Sequence, residues 1–238
     1  YGRTIVKYIG GNATTVTIPE GVTAIGKDAF YDCGTIETLN VPATVSNIGE
    51  SALSSSITNV NYASIGSLCS IEADYNYYLH GNSHKLLIGG AEVTAVEIPD
   101  GIMRIGAYAF YYCNKITSVS IPASVKSIGQ NAFSGCNALT KTTFESLAHL
   151  LSIDFESSSS NPKSQNYSSN KLFFGATQAG NTLTIPEGTV SIGNSAFCGC
   201  TNYTSVSIPA SVRSIGHGAF ASCTKLTKTT FASIESLC

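Results

Sequence analysis

The segment Ser118–Gly129 reads SVSIPASVKSIG, and the segment Ser205–Gly216 reads SVSIPASVRSIG. The two copies differ only at Lys126 and Arg213, so the chain contains an internal repeat. An Ile-Pro or Val-Pro pair marks six copies of the unit, whose prolines form three pairs with a spacing of 23 residues: Pro19 and Pro42, Pro99 and Pro122, and Pro186 and Pro209. Because repetition at a fixed period takes priority over any element-by-element interpretation, this unit decides the fold.

Each unit follows the approximate pattern L-x-x-V-x-I-P-x-x-V-x-x-I-G-x-x-A-F-x-x-C, as from Val119 to Cys136. The alternation of Val119 and Ile121 has the period of two that is typical of a strand with one buried face. The proline ends the strand, Gly129 permits a turn, and the A-F-x-x-C run predicts a short helical or 3₁₀ turn that places Phe133 in the core. Stacked units of this kind bury a continuous core that no single unit could form.

This pattern closely resembles the repeat of the BspA-like leucine-rich-repeat family of bacterial and protozoan surface proteins, along the whole chain. The resemblance implies a leucine-rich-repeat-like solenoid, a right-handed β/α superhelix that is rich in β-structure, with short helical or 3₁₀ turns. It also implies a secreted or cell-surface location and adhesion to host or neighbouring-cell molecules. Leu53 and Ser56 depart from the pattern in the second unit and Thr189 departs in the fifth, so we expect looser packing there.

A longer period lies over the short one, because pairs of units recur after 80 and 87 residues. The spacer between pairs contains a segment with helical apolar spacing, 62–71 and 144–153, which predicts a short helix. A polar stretch and then an apolar strand with a glycine turn follow, which predicts a loop and a hairpin. We expect one solenoid domain over residues 1–238, with long units at about 5–84, 85–170 and 171–238, cut from a longer array.

Charge and hydropathy narrow the classes of partner. Charged residues make up 12% of the chain and the net charge is −2, so we expect no nucleic-acid partner. No stretch approaches eighteen consecutive apolar residues, so we expect no membrane insertion in this segment. A surface of Ser, Thr, Asn and Gly suits an exported protein.

Five of the eight cysteines occupy one slot of the repeat and should form an inward-pointing column: Cys33, Cys113, Cys136, Cys200 and Cys223. Parallel side chains are badly aimed for disulfides, so buried free thiols are the favoured interpretation. Cys69 and Cys238 share a spacer slot where an apolar role is favoured, and Cys198 has no slot. Cys198 and Cys200 form a lone C-x-C motif, which supplies too few ligands for a metal site. We expect no cofactor.

Candidate chemistry is sparse. Asp74, His80 and His84 could ligate a cation, but a surface loop is the favoured interpretation. Asp154 and Glu156 could act as an acid and a base, yet no motif supplies a partner or an oxyanion site, and solvated acids are favoured. The sequence therefore predicts a noncatalytic protein.

Binding surfaces of solenoids are built from the same position in successive repeats. The outward strand positions that we single out are Asn40, Asn59, Asn61, Glu97, Ser120, Lys141, Thr143, Thr184, Ser207, Lys228 and Thr230. A second candidate is a spacer patch of Tyr75, Tyr77, Tyr78 and His80, which could contact a protein or sugar rings or simply pack on the solenoid. The leading hypothesis is a partner at the cell surface, protein or glycan, including host extracellular matrix. The alternatives are a glycan-binding or spacer module of a larger secreted protein, and a sheet face that is merely solvated.

Overall fold

The computed structural model of the chain describes residues 2–74, 85–165 and 169–232. Its strands are short and follow one another at nearly regular intervals. In chain order they are β1 (Arg3–Ile5), β2 (Thr15–Thr17), β3 (Val22–Ile25), β4 (Thr38–Val41), β5 (Asn47–Ile48), β6 (Asn59–Tyr62), β7 (Glu72–Ala73), β8 (Lys85–Ile88), β9 (Ala91–Glu92), β10 (Ala95–Glu97), β11 (Arg104–Ile105), β12 (Ser118–Ile121), β13 (Ser127–Ile128), β14 (Lys141–Phe144), β15 (Asp154–Phe155), β16 (Lys171–Phe174), β17 (Thr177–Gln178), β18 (Thr182–Thr184), β19 (Ser191–Ile192), β20 (Ser205–Ile208), β21 (Ser214–Ile215) and β22 (Lys228–Phe231).

These strands form two series of parallel ladders, as a solenoid requires. The first series, which we call the main face, consists of β2-β4-β6-β8-β9, β10-β12-β14-β16-β17 and β18-β20-β22. The second series, the side face, consists of β1-β3-β5-β7, β11-β13-β15 and β19-β21. Within the main face only β9 and β17 run antiparallel to their partners. The chain is therefore a repeat solenoid, as the sequence predicts, and most turns add a short second strand on the side face, which the sequence did not predict.

The alternation in each unit sets which side chains enter the core. In β12, Val119 and Ile121 are buried, whereas Ser118 is half-buried and Ser120 is exposed. Pro122 follows directly, and its carbonyl accepts the N–H of Val125 at 3.1 Å to close a turn toward the side face. The same turn hydrogen bond occurs in all six units. The period of two and the role of proline are thus confirmed.

The A-F-x-x-C run forms consecutive tight turns with the i to i+3 hydrogen bonds of a 3₁₀ turn, such as Ser134 N–H to Asn131 O at 3.0 Å. The residue before the alanine is left-handed in every unit: Asp28, Ser51, Tyr108, Asn131, Ser195 and Gly218 have φ angles between 52° and 64°. A left-handed residue interrupts helical propagation, so single turns such as Cys136 N–H to Phe133 O (3.2 Å) remain. These single turns agree with the short helical or 3₁₀ turn that the sequence predicts at this place.

Phenylalanine side chains from these turns fill the core. Phe110 and Phe133 stack at 5.1 Å between ring centroids, and Phe197 and Phe220 stack at 5.2 Å. Leu53, which takes the place of phenylalanine in the second unit, is half-buried. Phe on Phe is therefore the stacking that the repeat predicts.

The spacers contain the predicted helices and hairpins. Helix α1 (Ile65–Cys69) begins at the N-cap Ser64 and helix α2 (Leu147–Ser152) begins at the N-cap Ser146; each serine side chain accepts a backbone N–H from the first turn. Strands β8 and β9, and likewise β16 and β17, pair as hairpins. No helix in the described part of the chain has the length and apolar character needed to cross a bilayer.

The polar stretch of the second spacer packs closely on the next unit. It forms two 3₁₀ turns, Ser158–Ser160 and Pro162–Ser164. Lys163 is only 1% exposed, and its Nζ donates to the carbonyl of Gly199 at 3.0 Å. Burial lowers the pKa of this lysine, because the charged form loses water. The described part of the predicted loop is therefore ordered and largely buried.

Candidate interaction face

Outward side chains of the main face lie in two columns, because parallel strands bring equivalent positions into register. Each strand contributes its first residue to one column and its third residue to the other. The first column contains Asn59 and Lys85, then Ser118, Lys141 and Lys171, and then Ser205 and Lys228. The second contains Asn40 and Asn61, then Glu97, Ser120, Thr143 and Phe173, and then Thr184, Ser207 and Thr230. All eleven singled-out positions are thus the first or third residues of strands in these three ladders.

The N-terminal part of this face is a hydrogen-bonded amide ladder. Asn40 Nδ2 donates to Thr17 Oγ1 at 3.0 Å, and Asn61 Nδ2 donates to Asn40 Oδ1 at 2.9 Å. Asn61 Oδ1 accepts the N–H of Gly90 at 2.9 Å. These amides are half-buried and use much of their hydrogen-bonding capacity on each other, so their contribution is chiefly to hold the strands in register.

The middle part of the face differs because it carries cations and an aromatic ring. Lys141 and Lys171 are directly opposite each other on β14 and β16, and both are exposed. Lys141 Nζ lies 4.9 Å from the ring centroid of Phe173, a cation–π contact with a half-buried ring. Ser120 is exposed and Thr143 half-buried in the neighbouring column. This group combines charge, apolar surface and hydroxyls.

The C-terminal part of the face is polar and more open. Thr184, Ser207, Lys228 and Thr230 are all exposed. Ser205 Oγ donates to Thr182 Oγ1 at 3.2 Å between neighbouring strands. The spacer patch of Tyr75, Tyr77, Tyr78 and His80 lies outside the described residues and stays a prediction.

Lys171 and Phe173 are two residues of this face that the sequence did not suggest. They belong to a spacer strand, 30 residues after Lys141, and not to the 23-residue unit. A signal was present, since the strands KLLI (β8) and KLFF (β16) alternate outward and inward like the strands of the short units.

The cysteine column points inward as predicted. Cys113, Cys136 and Cys200 are buried, and Cys33 and Cys223 are half-buried. The thiol of Cys136 donates to the carbonyl of Phe110 in the neighbouring coil at 3.0 Å. Burial raises the pKa of each of these thiols. It raises the pKa of the buried Cys69 to about 12. These side chains serve as small core residues and weak donors between coils. Cys238 lies outside the described residues.

Glu156, one of the two candidate acid–base residues, is engaged in other hydrogen bonds. Glu156 accepts a hydrogen bond from Arg104 and another from the N–H of Gln130 at 3.0 Å, while Asp154 is exposed. Arg104 therefore lowers the pKa of Glu156, which keeps that carboxylate charged. Of the candidate cation ligands, Asp74 is exposed, and His80 and His84 lie outside the described residues. Within residues 2–74, 85–165 and 169–232, no group of three or more His, Cys, Asp or Glu side chains is arranged to hold a metal ion.

A family model described as the BspA type leucine rich repeat region matches six copies in the chain, over residues 8–82, 89–171 and 167–237. No curated protein matches the chain.

Several solved structures are similar to the chain. One is a leucine rich cell surface protein from Faecalibacterium prausnitzii A2-165, with 20% identity over 98% of this chain and 92% of that chain and a TM-score of 0.36. Another is a leucine-rich repeat protein from Bacteroides ovatus ATCC 8483, with 24% identity over 92% of this chain and 64% of that chain and a TM-score of 0.43. A third is the pneumococcal vaccine antigen PcpA, with 15% identity over 96% of this chain and 63% of that chain and a TM-score of 0.42.

Proposed function

Because the chain belongs to the BspA-type leucine-rich repeat family, we propose that it is a noncatalytic cell-surface or secreted protein whose main face mediates protein–protein interaction or adhesion. The observation that carries the proposal is the two-column outward face, which extends over three ladders and presents the same strand positions from coil to coil. Extended surfaces of this kind are how solenoids bind macromolecules.

The middle of the face is the part best suited to a partner. The amides of Asn40 and Asn61 are engaged in their own ladder, whereas Lys141 and Ser120 are exposed. A charged group that keeps its water can exchange it for contacts with a partner, so we assign adhesion to the middle and C-terminal parts of the face. A glycan-binding role for the same surface is the second candidate, favoured by the half-buried ring of Phe173 beneath Lys141.

The test is binding of the purified chain to immobilised, deglycosylated collagen, laminin and fibronectin, measured by biolayer interferometry. We expect saturable binding to at least one of these proteins and its loss in Lys141→Ala/Lys228→Ala. Lys126→Ala/Arg213→Ala is the matched control, because it removes two exposed cations at equivalent positions away from the main-face strands. Tyr75→Ala/Tyr77→Ala tests the spacer patch in the same assay.

Two results would contradict adhesion through the main face. Loss of binding in the tyrosine variant alone would transfer the function to the spacer patch. Absence of binding to all three proteins would leave the glycan-binding and spacer alternatives.

A further inference from the structure

Along the main face, exposed lysines lie at one end of the strands and carboxylates lie at the other end. From Lys115 onward, five exposed lysines lie at the beginning of main-face strands or three residues before them, and we call them the lysine rim: Lys115, Lys141, Lys171, Lys225 and Lys228. Beyond Glu97, every described carboxylate follows its main-face strand: Asp100, Glu145, Asp154, Glu156 and Glu187. Parallel strands align all their beginnings at one edge, so from β12 onward this edge is positive although the chain has a net charge of −2.

Three members of the rim occupy consecutive coils. Lys115 precedes β12, Lys141 begins β14 and Lys171 begins β16, and these strands are neighbours in one ladder. Neighbouring strands are about 4.8 Å apart, so the rim presents one cation per coil along the solenoid axis. Lys225 and Lys228 continue it on the coil of β22.

The pairing of Lys141 with Lys171 is unfavourable by itself. Like charges directly opposite each other on neighbouring strands destabilise a sheet. No described carboxylate forms an ion pair with either lysine. The nearest cation–π partner, Phe173, contacts Lys141 and leaves Lys171 exposed. An anion placed across the two ammonium groups would relieve this repulsion.

The surroundings of the lysine pair match a sugar chain. The half-buried ring of Phe173 offers an apolar surface, and Ser118, Ser120 and Thr143 place hydroxyls in the adjacent rows. The repeat of cations along one edge suits a ligand that is itself a repeating polymer.

From this arrangement we propose that the lysine rim binds an acidic polysaccharide, whose carboxylates or sulfates contact Lys115, Lys141 and Lys171 on consecutive coils. The proposal rests on the proposed function, in which the main face is a binding surface, and it names the chemistry of the partner. A nucleic acid is the other polyanion that a row of lysines could bind, and the oligonucleotide in the experiment below tests for it. Glu92 lines a small pocket together with Lys85 and Lys115. Its carboxylate therefore marks the N-terminal limit of the lysine rim.

The experiment measures binding of the whole chain to immobilised hyaluronan and chondroitin sulfate, with neutral dextran and a single-stranded DNA oligonucleotide as comparison ligands. We expect saturable, salt-sensitive binding to one or both acidic polysaccharides and none to dextran. Lys141→Gln/Lys171→Gln should weaken it at least about tenfold, which corresponds to about 1.4 kcal/mol. Lys126→Gln/Arg213→Gln, which removes the same charge elsewhere, should bind like the wild type.

A second measurement separates a binding role from a structural one. Because the lysine pair is repulsive, Lys171→Gln alone should raise the melting temperature at low ionic strength while it weakens polysaccharide binding. Equal weakening in the Lys126→Gln/Arg213→Gln control, tighter binding to the oligonucleotide, or no binding to either acidic polysaccharide would each overturn the proposal. In the last case, binding to the deglycosylated matrix proteins would still support adhesion, so the two proposals fail separately.

Discussion

At the scale of single residues, the glycine after the second isoleucine is the most constrained position of the unit. A Cβ atom on Gly129 would lie 2.5 Å from the backbone nitrogen of Ala107 in the neighbouring coil. Gly49 and Gly216 meet the backbone of their neighbouring coils at 2.6 Å and 2.5 Å in the same way. None of the three has a positive φ angle, so the requirement for glycine is the close approach of two coils and not an unusual turn.

We predict that Gly129→Ala lowers the free energy of unfolding by about 2 kcal/mol or more. The added methyl group would meet backbone atoms of the neighbouring coil, which cannot move aside as a flexible side chain could. The measurement is urea unfolding followed by circular dichroism. Gly180→Ala is the matched control, since nothing lies within 4 Å of its Cβ position and its φ angle is not positive. It should leave stability unchanged or raise it by up to about 1 kcal/mol. Equal destabilisation by both changes would contradict the close-approach argument.

At the scale of elements, Arg104 connects ladders that the strand hydrogen bonds leave separate. It lies in β11, and its Nε donates to Glu72 Oε1 of β7 at 2.9 Å while Nη1 donates to Glu156, which follows β15. Strand β7 ends one side-face ladder and β11 begins the next. One guanidinium therefore bridges two long units, with all three side chains at least one third exposed.

We predict that Glu156→Gln lowers the free energy of unfolding at neutral pH by about 0.2–1 kcal/mol, the range for exposed ion pairs. Arg104 holds the pKa of Glu156 below its ordinary value. The stabilisation is therefore fully present above the unfolded pKa of about 4.3 and is lost as pH falls through the lower folded pKa.

Urea unfolding at neutral and acidic pH checks this prediction. The difference between wild type and Glu156→Gln should shrink as the solution is acidified below the folded pKa. Glu187→Gln, an exposed glutamate in a turn, is the control and should show little difference at either pH. A difference that grows on acidification would have the wrong sign.

At the scale of the whole molecule, identical sequences occupy different environments because a solenoid is stabilised by neighbours. The sequence KTTF forms both β14 and β22. Thr142 in β14 is fully buried and donates to Asn170 Oδ1 at 3.0 Å, whereas its equivalent Thr229 in β22 is exposed. Strand β14 lies between β12 and β16, and the described neighbour of β22 is β20.

We predict that backbone amides of residues 141–144 exchange with solvent deuterium more slowly than those of residues 228–231, since local opening depends on packing against adjacent coils. Hydrogen–deuterium exchange read by mass spectrometry measures this directly, and the shared sequence removes most intrinsic differences. The pair 118–121 and 205–208, both SVSI and both flanked by described strands on two sides, is the control and should differ less. Faster exchange at 141–144 would show that stacking does not set local stability here.

Much of the fold is determined within a single turn of the chain and was predictable from it. Val119 and Ile121 point inward because a strand alternates its side chains, and Pro122 ends that strand because it cannot continue the ladder. The apolar spacing of segments 62–71 and 144–153 predicted short helices, and the structure has α1 and α2 there. Only the left-handed residue before each alanine, such as Tyr108 or Asn131, escaped the pattern, because non-glycine residues there give no sequence signal.

What the tertiary structure decided is which residues of different turns become neighbours. Lys141 and Lys171 are 30 residues apart and belong to a short unit and a spacer, so no period in the sequence pairs them; the stacking of β14 on β16 does. Lys163 lies in a polar, serine-rich stretch that predicts a loop, and it is buried because that stretch folds onto the coil of Gly199. The sequence by itself determined the repeat, the inward and outward positions and the spacer elements, because these depend on local geometry. The charged edge of the main face depends on the tertiary structure, because the alignment of strands from coils that are separated by spacers of unequal length places its lysines side by side.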